Sequence, residues 1–170
     1  MKKYVLDLKI KAVERVSEKH VVLKLTDEKL LPEMLPGQFV EVKVEGSSET
    51  FLRRPISIHF VDYTENELWL LVAMIGEGTR QLGRLQAGNR LNCVLPLGNS
   101  FTMPAGQQEK VLLVGGGVGM APLLYLGAQM KARGCEPTFL LGGRSAADLL
   151  ELALYKRNGR VYITTEDGSA

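Results

Sequence analysis

The chain reads as two successive folds: an antiparallel β-barrel over residues 1–103, then a partial parallel α/β domain over 108–170. Three observations predict this. Up to about residue 100, short strands with alternating apolar residues are separated by turn signals. Beyond Pro104-Ala105-Gly106-Gln107, short apolar runs alternate with helical patterns. A glycine-rich turn, Gly115-Gly116-Gly117-Val118-Gly119, joins the first of those later strands to a helix.

Each element has its own warrant. From Tyr4 to Val16, Val5, Leu6, Leu8, Ile10, Ala12 and Val13 are interrupted by Lys and Asp, a strand pattern. Val21–Leu25 is a short apolar strand. Pro36-Gly37-Gln38 turns the chain into Phe39–Val44, which alternates strictly, and Gly46-Ser47-Ser48 is another turn. Arg54–Phe60, Leu68–Ile75 and Arg90–Leu95 complete the barrel set, with Trp69 read as barrel packing and one helical interruption at Thr79–Leu85. Val111–Val114 is continuously apolar, as in a parallel strand covered on both faces. Met120–Arg133 reads as a helix with Leu123, Leu124, Leu126, Gly127 and Met130 inward and Gly134 as its stop. Pro137–Leu141 is a strand, Ala146–Tyr155 a helix and Arg160–Thr164 a third strand. The final Thr165-Glu166-Asp167-Gly168-Ser169-Ala170 reads as a loop. Three parallel strands leave apolar faces uncovered, so a missing segment or a partner is expected to complete the sheet.

Bulk properties narrow the function. A net charge of +2 gives no basic surface for nucleic acid, and 45% apolar residues in 170 support a buried core. No apolar run approaches the ~20 residues of a membrane span, and the Met1-Lys2-Lys3-Tyr4 start leads into alternation, not a signal-peptide core. Cys93 and Cys135 are isolated, and His20 and His59 lack a second ligand at metal spacing; all four read as structural or surface residues in a cytoplasmic protein, with no metal site.

Two segments carry chemistry. In Arg53-Arg54-Pro55-Ile56-Ser57-Ile58, Pro55 lacks a backbone donor, which places the strand at an edge or makes it irregular. Arg54 and Ser57 are three apart, so an ideal strand aims them at opposite faces; an irregularity would bring both to one ligand. A guanidinium matches a pyrophosphate bidentately, and a serine hydroxyl can donate to a flavin ring nitrogen. The same residues also read as a plain edge strand. The Gly115–Pro122 turn lies between a buried strand and a helix, where a dinucleotide can approach the backbone. Pro122 falls in the first helical turn, where its missing N–H is harmless. The alternative is tight packing at a βα turn. No Lys-Ser/Thr pair follows the glycines, so this is no phosphate loop of the ATPase type. Gly76-Glu77-Gly78-Thr79 opens a helix, with Thr79 as N-cap or phosphate contact, or as an ordinary turn. Gly142-Gly143-Arg144-Ser145 and Asp167-Gly168 end the next two strands at the same carboxyl edge as the glycine turn. Asp148 reads as a first-turn helix acid.

In order, Arg53-Arg54-Pro55-Ile56-Ser57, Gly76-Glu77-Gly78-Thr79, Pro96-Leu97-Gly98-Asn99-Ser100-Phe101 and Gly115-Gly116-Gly117-Val118-Gly119-Met120-Ala121-Pro122 resemble the ferredoxin–NADP reductase superfamily. Leu52–Ile58 and Pro96-Leu97-Gly98-Asn99 are similar to the electron-transfer subunit of class B dihydroorotate dehydrogenase; other members more often carry Arg-x-Tyr-Ser/Thr at Arg54–Ser57. The resemblance implies an FAD-binding barrel followed by an NAD-binding domain. It implies that Arg54, Pro55, Ile56, Ser57, Gly78 and Thr79 hold FAD, with Ser57 the candidate catalytic residue touching the flavin ring. Gly117, Gly119 and Pro122 would shape the nicotinamide site, and Gly142, Arg144 and Asp167 would lie near the ribose or adenine. Arg144 leaves NAD and NADP both open. The implied partner is an FMN-containing dihydroorotate dehydrogenase subunit in a hetero-oligomer of pyrimidine biosynthesis. The family's C-terminal cysteine cluster has no counterpart here, so a [2Fe-2S] centre is expected only in a longer chain. Two other readings stand beside this: a reductase subunit of a hydrogenase or sulfide dehydrogenase type, and a non-enzymatic truncated module.

Overall fold

The computed structural model describes residues 2–46, 50–107 and 109–170; the turn read at Gly46-Ser47-Ser48 falls mostly outside them. Six antiparallel strands close into a barrel in the order β1-β2-β5-β4-β3-β6: β1 (Tyr4–Ser17), β2 (His20–Thr26), β3 (Phe39–Val42), β4 (Arg54–Asp62), β5 (Glu67–Ala73) and β6 (Arg90–Leu97). Helix α1 (Glu77–Leu82) joins β5 to β6. A parallel sheet in the order β7-β8-β9 follows, from β7 (Leu112–Gly116), β8 (Thr138–Gly143) and β9 (Arg160–Thr165), with α2 (Ala121–Ala132) and α3 (Leu152–Asn158) between its strands.

Alternation buries one face of each barrel strand. Leu8, Ile10, Leu23, Leu25, Ile58 and Leu70 fill the interior. Strands β2 and β5 are apolar on both faces for a different reason. Val22 and Leu71 point out of the barrel into a second core built by α2, β8 and α3 around Met120, Leu124, Phe139 and Tyr155. Helix α2 is therefore apolar nearly all round, as a helix covered on two sides must be. One side meets the sheet at Gly127, where a Cβ would lie 2.2 Å from Phe139 Cζ. The other side inserts Tyr125 into the barrel core, where its hydroxyl donates to the Met34 carbonyl at 2.9 Å.

The structure departs from the sequence reading in four places. Strand β4 is no edge strand, because the barrel is closed. The expected helix Ala146–Tyr155 is broken: a 3-10 turn at Ala146–Asp148 is followed by Glu151 at φ +50°, and α3 starts at Leu152. Trp69 packs outside the barrel, 5.2 Å from the Phe60 ring and beneath the Lys24 ammonium at 4.1 Å. Strand β7 is covered on one face only, leaving Leu112 and Val114 largely exposed.

Candidate functional site

Strand β4 pairs with β3 from Arg54 to Ser57, but with β5 only from Ile58 onward, with a register shift between Ile58 and Phe60. Its first half thus leaves one backbone edge unpaired. The Ile58 N–H donates to the Gln38 carbonyl on the β3 side. By alternation, the backbone edges of Pro55 and Ser57 face away from β3. Proline is tolerated in this closed barrel because its missing N–H falls on the side with no ladder bond to lose. The Ser57 N–H points the same way, and among the described residues no group hydrogen-bonds the Ser57 hydroxyl.

That gap is a cleft of about 310 Å³. Pro55, Ile56 and Ser57 form one wall, Leu71, Ala73, Ile75 and Thr79 the floor, and Val118, Gly119, Ala121 and Pro122 the opposite wall. The glycine turn therefore closes over the irregular strand.

The paired arginines divide their work. Arg53 donates to the carbonyls of Glu41 and Asn92 at 3.3 and 3.1 Å and to the Asn92 side chain, locking β4 to β3 and β6. Arg54 turns to α1: its Nη1 donates to the Leu52 and Arg53 carbonyls at 3.0 and 3.3 Å, and its Nε lies 3.0 Å from where a Gly78 Cβ would stand. Gly78 is thus the residue that lets a guanidinium sit against the start of the helix. Thr79 is not the N-cap; that position is Gly76. The Thr79 hydroxyl accepts from the Ile75 and Gly76 N–H groups and donates to the Gly76 carbonyl, so it shapes its own loop.

A larger cleft of about 610 Å³ opens at the carboxyl edge of the parallel sheet. Gly116, Gly117, Gly142, Gly143, Arg144 and Thr164 come from the sheet; Lys19 and His20 come from the β1–β2 hairpin of the barrel. The glycines differ in kind. A Cβ on Gly115 would lie 2.7 Å from Leu123 and 2.9 Å from Met120 Cα, so that glycine serves packing. Gly117, at φ +53°, and Gly119 have no neighbour within 4 Å of an added Cβ, so their backbone is open to a ligand. Asp148 accepts from the Ser145 N–H and hydroxyl at 3.1 and 3.2 Å, a first-turn acid on the cleft rim. Asp167 is not among the cleft's lining residues. Its carboxylate accepts from the Ser169 hydroxyl and N–H at 2.6 and 3.0 Å, which hold it below the usual carboxylate range. Burial holds His20 below the ordinary histidine range, with Asp148 opposing and Lys19 reinforcing the shift. Nothing in the sequence pattern pointed to Lys19 or His20, because the hairpin meets the sheet only in the fold.

The two clefts share Ala73, Ile75 and Val118 in their linings and so adjoin there. Ile75 and Val118 are 77% and 44% exposed at that junction, an apolar step suited to a flat ring.

No protein-family model matches the chain. The dihydroorotate dehydrogenase B (NAD+) electron-transfer subunit of Shouchella clausii (strain KSM-K16) is 39% identical over 135 residues, covering 79% of this chain and 52% of that protein. The subunit of the same description from Desulforamulus reducens is 35% identical over 166 residues, covering 97% of this chain and 63% of that protein. The chain is thus similar in sequence to dihydroorotate dehydrogenase B electron-transfer subunits. It spans between about half and just under two thirds of the length of these relatives. Among solved structures, an NADH-dependent reduced ferredoxin–NADP oxidoreductase superposes with a TM-score of 0.83 at 27% identity, covering 97% of this chain and 58% of that one. Phthalate dioxygenase reductase superposes with a TM-score of 0.81 at 22% identity, covering 96% of this chain and 52% of that one, and so shares the fold. The barrel and sheet are therefore those of the ferredoxin–NADP reductase fold. No described helix is long and apolar enough to cross a membrane.

Proposed function

We propose that the chain is the flavin- and nucleotide-binding part of an electron-transfer subunit that passes electrons between a dihydroorotate dehydrogenase catalytic subunit, carrying FMN, and NAD+. The observation that carries this is the adjacency of two clefts: one on the barrel strand and one on the sheet edge share Ala73, Ile75 and Val118 as lining.

The residues present fit the ring of FAD in the smaller cleft, with the diphosphate outside it. Its walls are mostly apolar, suited to a ring, and the unpaired edge at Ser57 offers a hydroxyl and an N–H to ring heteroatoms. Arg54, seated on Gly78, offers a guanidinium to the diphosphate. NAD fits the larger cleft, its nicotinamide end at Val118–Pro122 and its ribose and adenine toward Gly142, Arg144, the Lys19 ammonium and the His20 ring of the hairpin. Bound there, the flavin supplies the hydride and single-electron chemistry. The chain's residues bind, orient and exclude water: Pro122 and Gly119 hold the nicotinamide side of the cleft against the Pro55–Ser57 wall, and no side chain need act as acid or base.

A [2Fe-2S] centre does not fit the residues described. Cys93 is sealed in the barrel and Cys135 in the second core, and no group of three or more His, Cys, Asp or Glu side chains is placed to hold a metal among them.

The test is reconstitution. The purified chain titrated with FAD develops a structured flavin spectrum and retains it through gel filtration. Failure to take up FAD while correctly folded refutes the reading.

A further inference from the structure

His59 lies on β4 two residues beyond Ser57 and is fully buried. Its Nδ1 is 2.7 Å from the carbonyl oxygen of Ala121, and its Nε2 is 2.9 Å from Oε2 of Glu151. A peptide carbonyl only accepts, so Nδ1 carries a proton and donates it. The Glu151 carboxyl, whose side chain is 11% exposed, shares a single proton with Nε2 across the second contact. Removing either partner would leave a buried polar group without its hydrogen bond.

The surroundings hold this pair in place. Glu151 adopts φ +50° and ψ +33°, a left-handed conformation uncommon for a residue with a side chain. It marks the break that splits the expected helix in two. Beside it, the Tyr155 hydroxyl donates to the Met120 carbonyl at 2.9 Å, and burial together with Glu151 pushes that phenol well above the ordinary tyrosine range, so it stays neutral. Two hydrogen bonds from two buried side chains therefore hold consecutive carbonyls, Met120 and Ala121, at the end of the glycine turn.

The position of that turn matters to the smaller cleft. Ala121 and Pro122 form the wall opposite Pro55–Ser57. One strand thus supplies one wall of the cleft directly and grips the other wall through His59. We infer that His59, anchored on its far side by Glu151, is the positioning residue that fixes Ala121–Pro122 opposite Ser57 and so sets the spacing between flavin and nicotinamide. This rests on the flavin–nucleotide reading above; His59 touches neither ring and acts through Ala121.

Two conservative variants separate positioning from bulk stability. An asparagine amide nitrogen can take the place of Nδ1 and keep the Ala121 contact while dropping Glu151. A glutamine amide nitrogen can take the place of Nε2 and do the reverse. With FAD-loaded protein, His59→Asn is expected to keep the rate of flavin reduction by NADH within about two-fold, whereas His59→Gln lowers it roughly ten-fold or more, since a displacement of ~1 Å can cost ~100-fold. Both variants should retain flavin and lose similar thermal stability. Equal rates in the two variants, or losses that track melting temperature, overturn the positioning role. The contacts are read separately, without cofactor, by nitrogen-15 NMR of the histidine-labelled chain. Nδ1 of His59 should carry a proton protected from solvent exchange, and Glu151→Gly, which relaxes the left-handed backbone and removes the carboxyl, should shift the Nε2 resonance and leave that proton in place. An Nδ1 without a proton overturns the grip on Ala121. A parent chain that binds no flavin refutes the functional reading and the spacing role together, while the NMR result still decides the His59–Ala121 contact.

Discussion

Replacing Gly78 by alanine separates the binding role of the Arg54 seat from its contribution to folding. Gly78 does not have a positive φ, so alanine meets no backbone strain there. Its methyl group would lie 3.0 Å from Arg54 Nε, 3.1 Å from Thr50 Cγ2 and 3.5 Å from Val44 Cγ2. The first two are tighter than ordinary contact and must open by a few tenths of an ångström. Arg54 cannot simply retreat, because its Nη1 is bonded to the Leu52 and Arg53 carbonyls. Crowding of this kind costs ~1 kcal/mol, and alanine returns up to ~1 kcal/mol of helix propensity over glycine. The unliganded protein should therefore keep its stability to within about 1 kcal/mol. The displaced guanidinium instead loses a charged hydrogen bond to the flavin diphosphate, worth ~1.5–3 kcal/mol, or about 10- to 150-fold in Kd. Quenching of FAD fluorescence on titration gives Kd, and urea unfolding of the unliganded chain gives stability. Unchanged FAD affinity, or an affinity loss matched by a stability loss, would refute the assignment of Gly78 and Arg54 to the diphosphate.

Ser57→Ala should leave FAD bound but slow its reduction by NADH; an unchanged rate in stopped-flow removes Ser57 from the ring's surroundings. The two arginines should behave oppositely. Arg54→Ala sheds flavin on gel filtration with little change in stability, whereas Arg53→Ala, which breaks the bonds to Glu41 and Asn92, lowers unfolding stability by ~1–3 kcal/mol; interchanged phenotypes would contradict the division. Glu67 governs an acid limb of stability. Burial raises its pKa, but hydrogen bonds from Lys11 and Trp69 and the Lys11 and Lys24 charges outweigh burial and leave it below the ordinary 4.5. Because the unfolded chain binds that proton more readily, the stabilisation is present above about 4.5 and is lost as pH falls through the lower folded value. Glu67→Gln should flatten melting temperature over that window, and an unaltered acid limb would show that Glu67 does not carry it.

The barrel was legible because one buried face imposes a period of two on Tyr4–Val16 and Phe39–Val44. The strands β2 and β5 lost that period for a reason visible only in the fold: Val22 and Leu71 serve a second core on the barrel's outer side. The glycine turn announced itself by composition, yet composition could not sort Gly115, which packs on Leu123 and Met120, from Gly117 and Gly119, which face open space. Pro55 signalled irregularity correctly and an edge wrongly, because a closed barrel can still leave part of one strand unpaired. The helix break at Glu151 had no glycine or proline to mark it, and His59 looked solitary because its partners lie 62 and 92 residues away. Lys19 and His20 were invisible as site residues for the same reason: the hairpin reaches the cleft only through tertiary packing.

In the proposed arrangement, nicotinamide and flavin meet where the two clefts adjoin, at Ile75 and Val118. Anaerobic stopped-flow of the FAD-loaded chain with NADH, and with NADH deuterated at the transferable C4 position, tests it most directly. Saturable bleaching of the flavin band, slower with the deuterated nucleotide, is expected. Flavin that binds but stays oxidised under saturating nucleotide would contradict it.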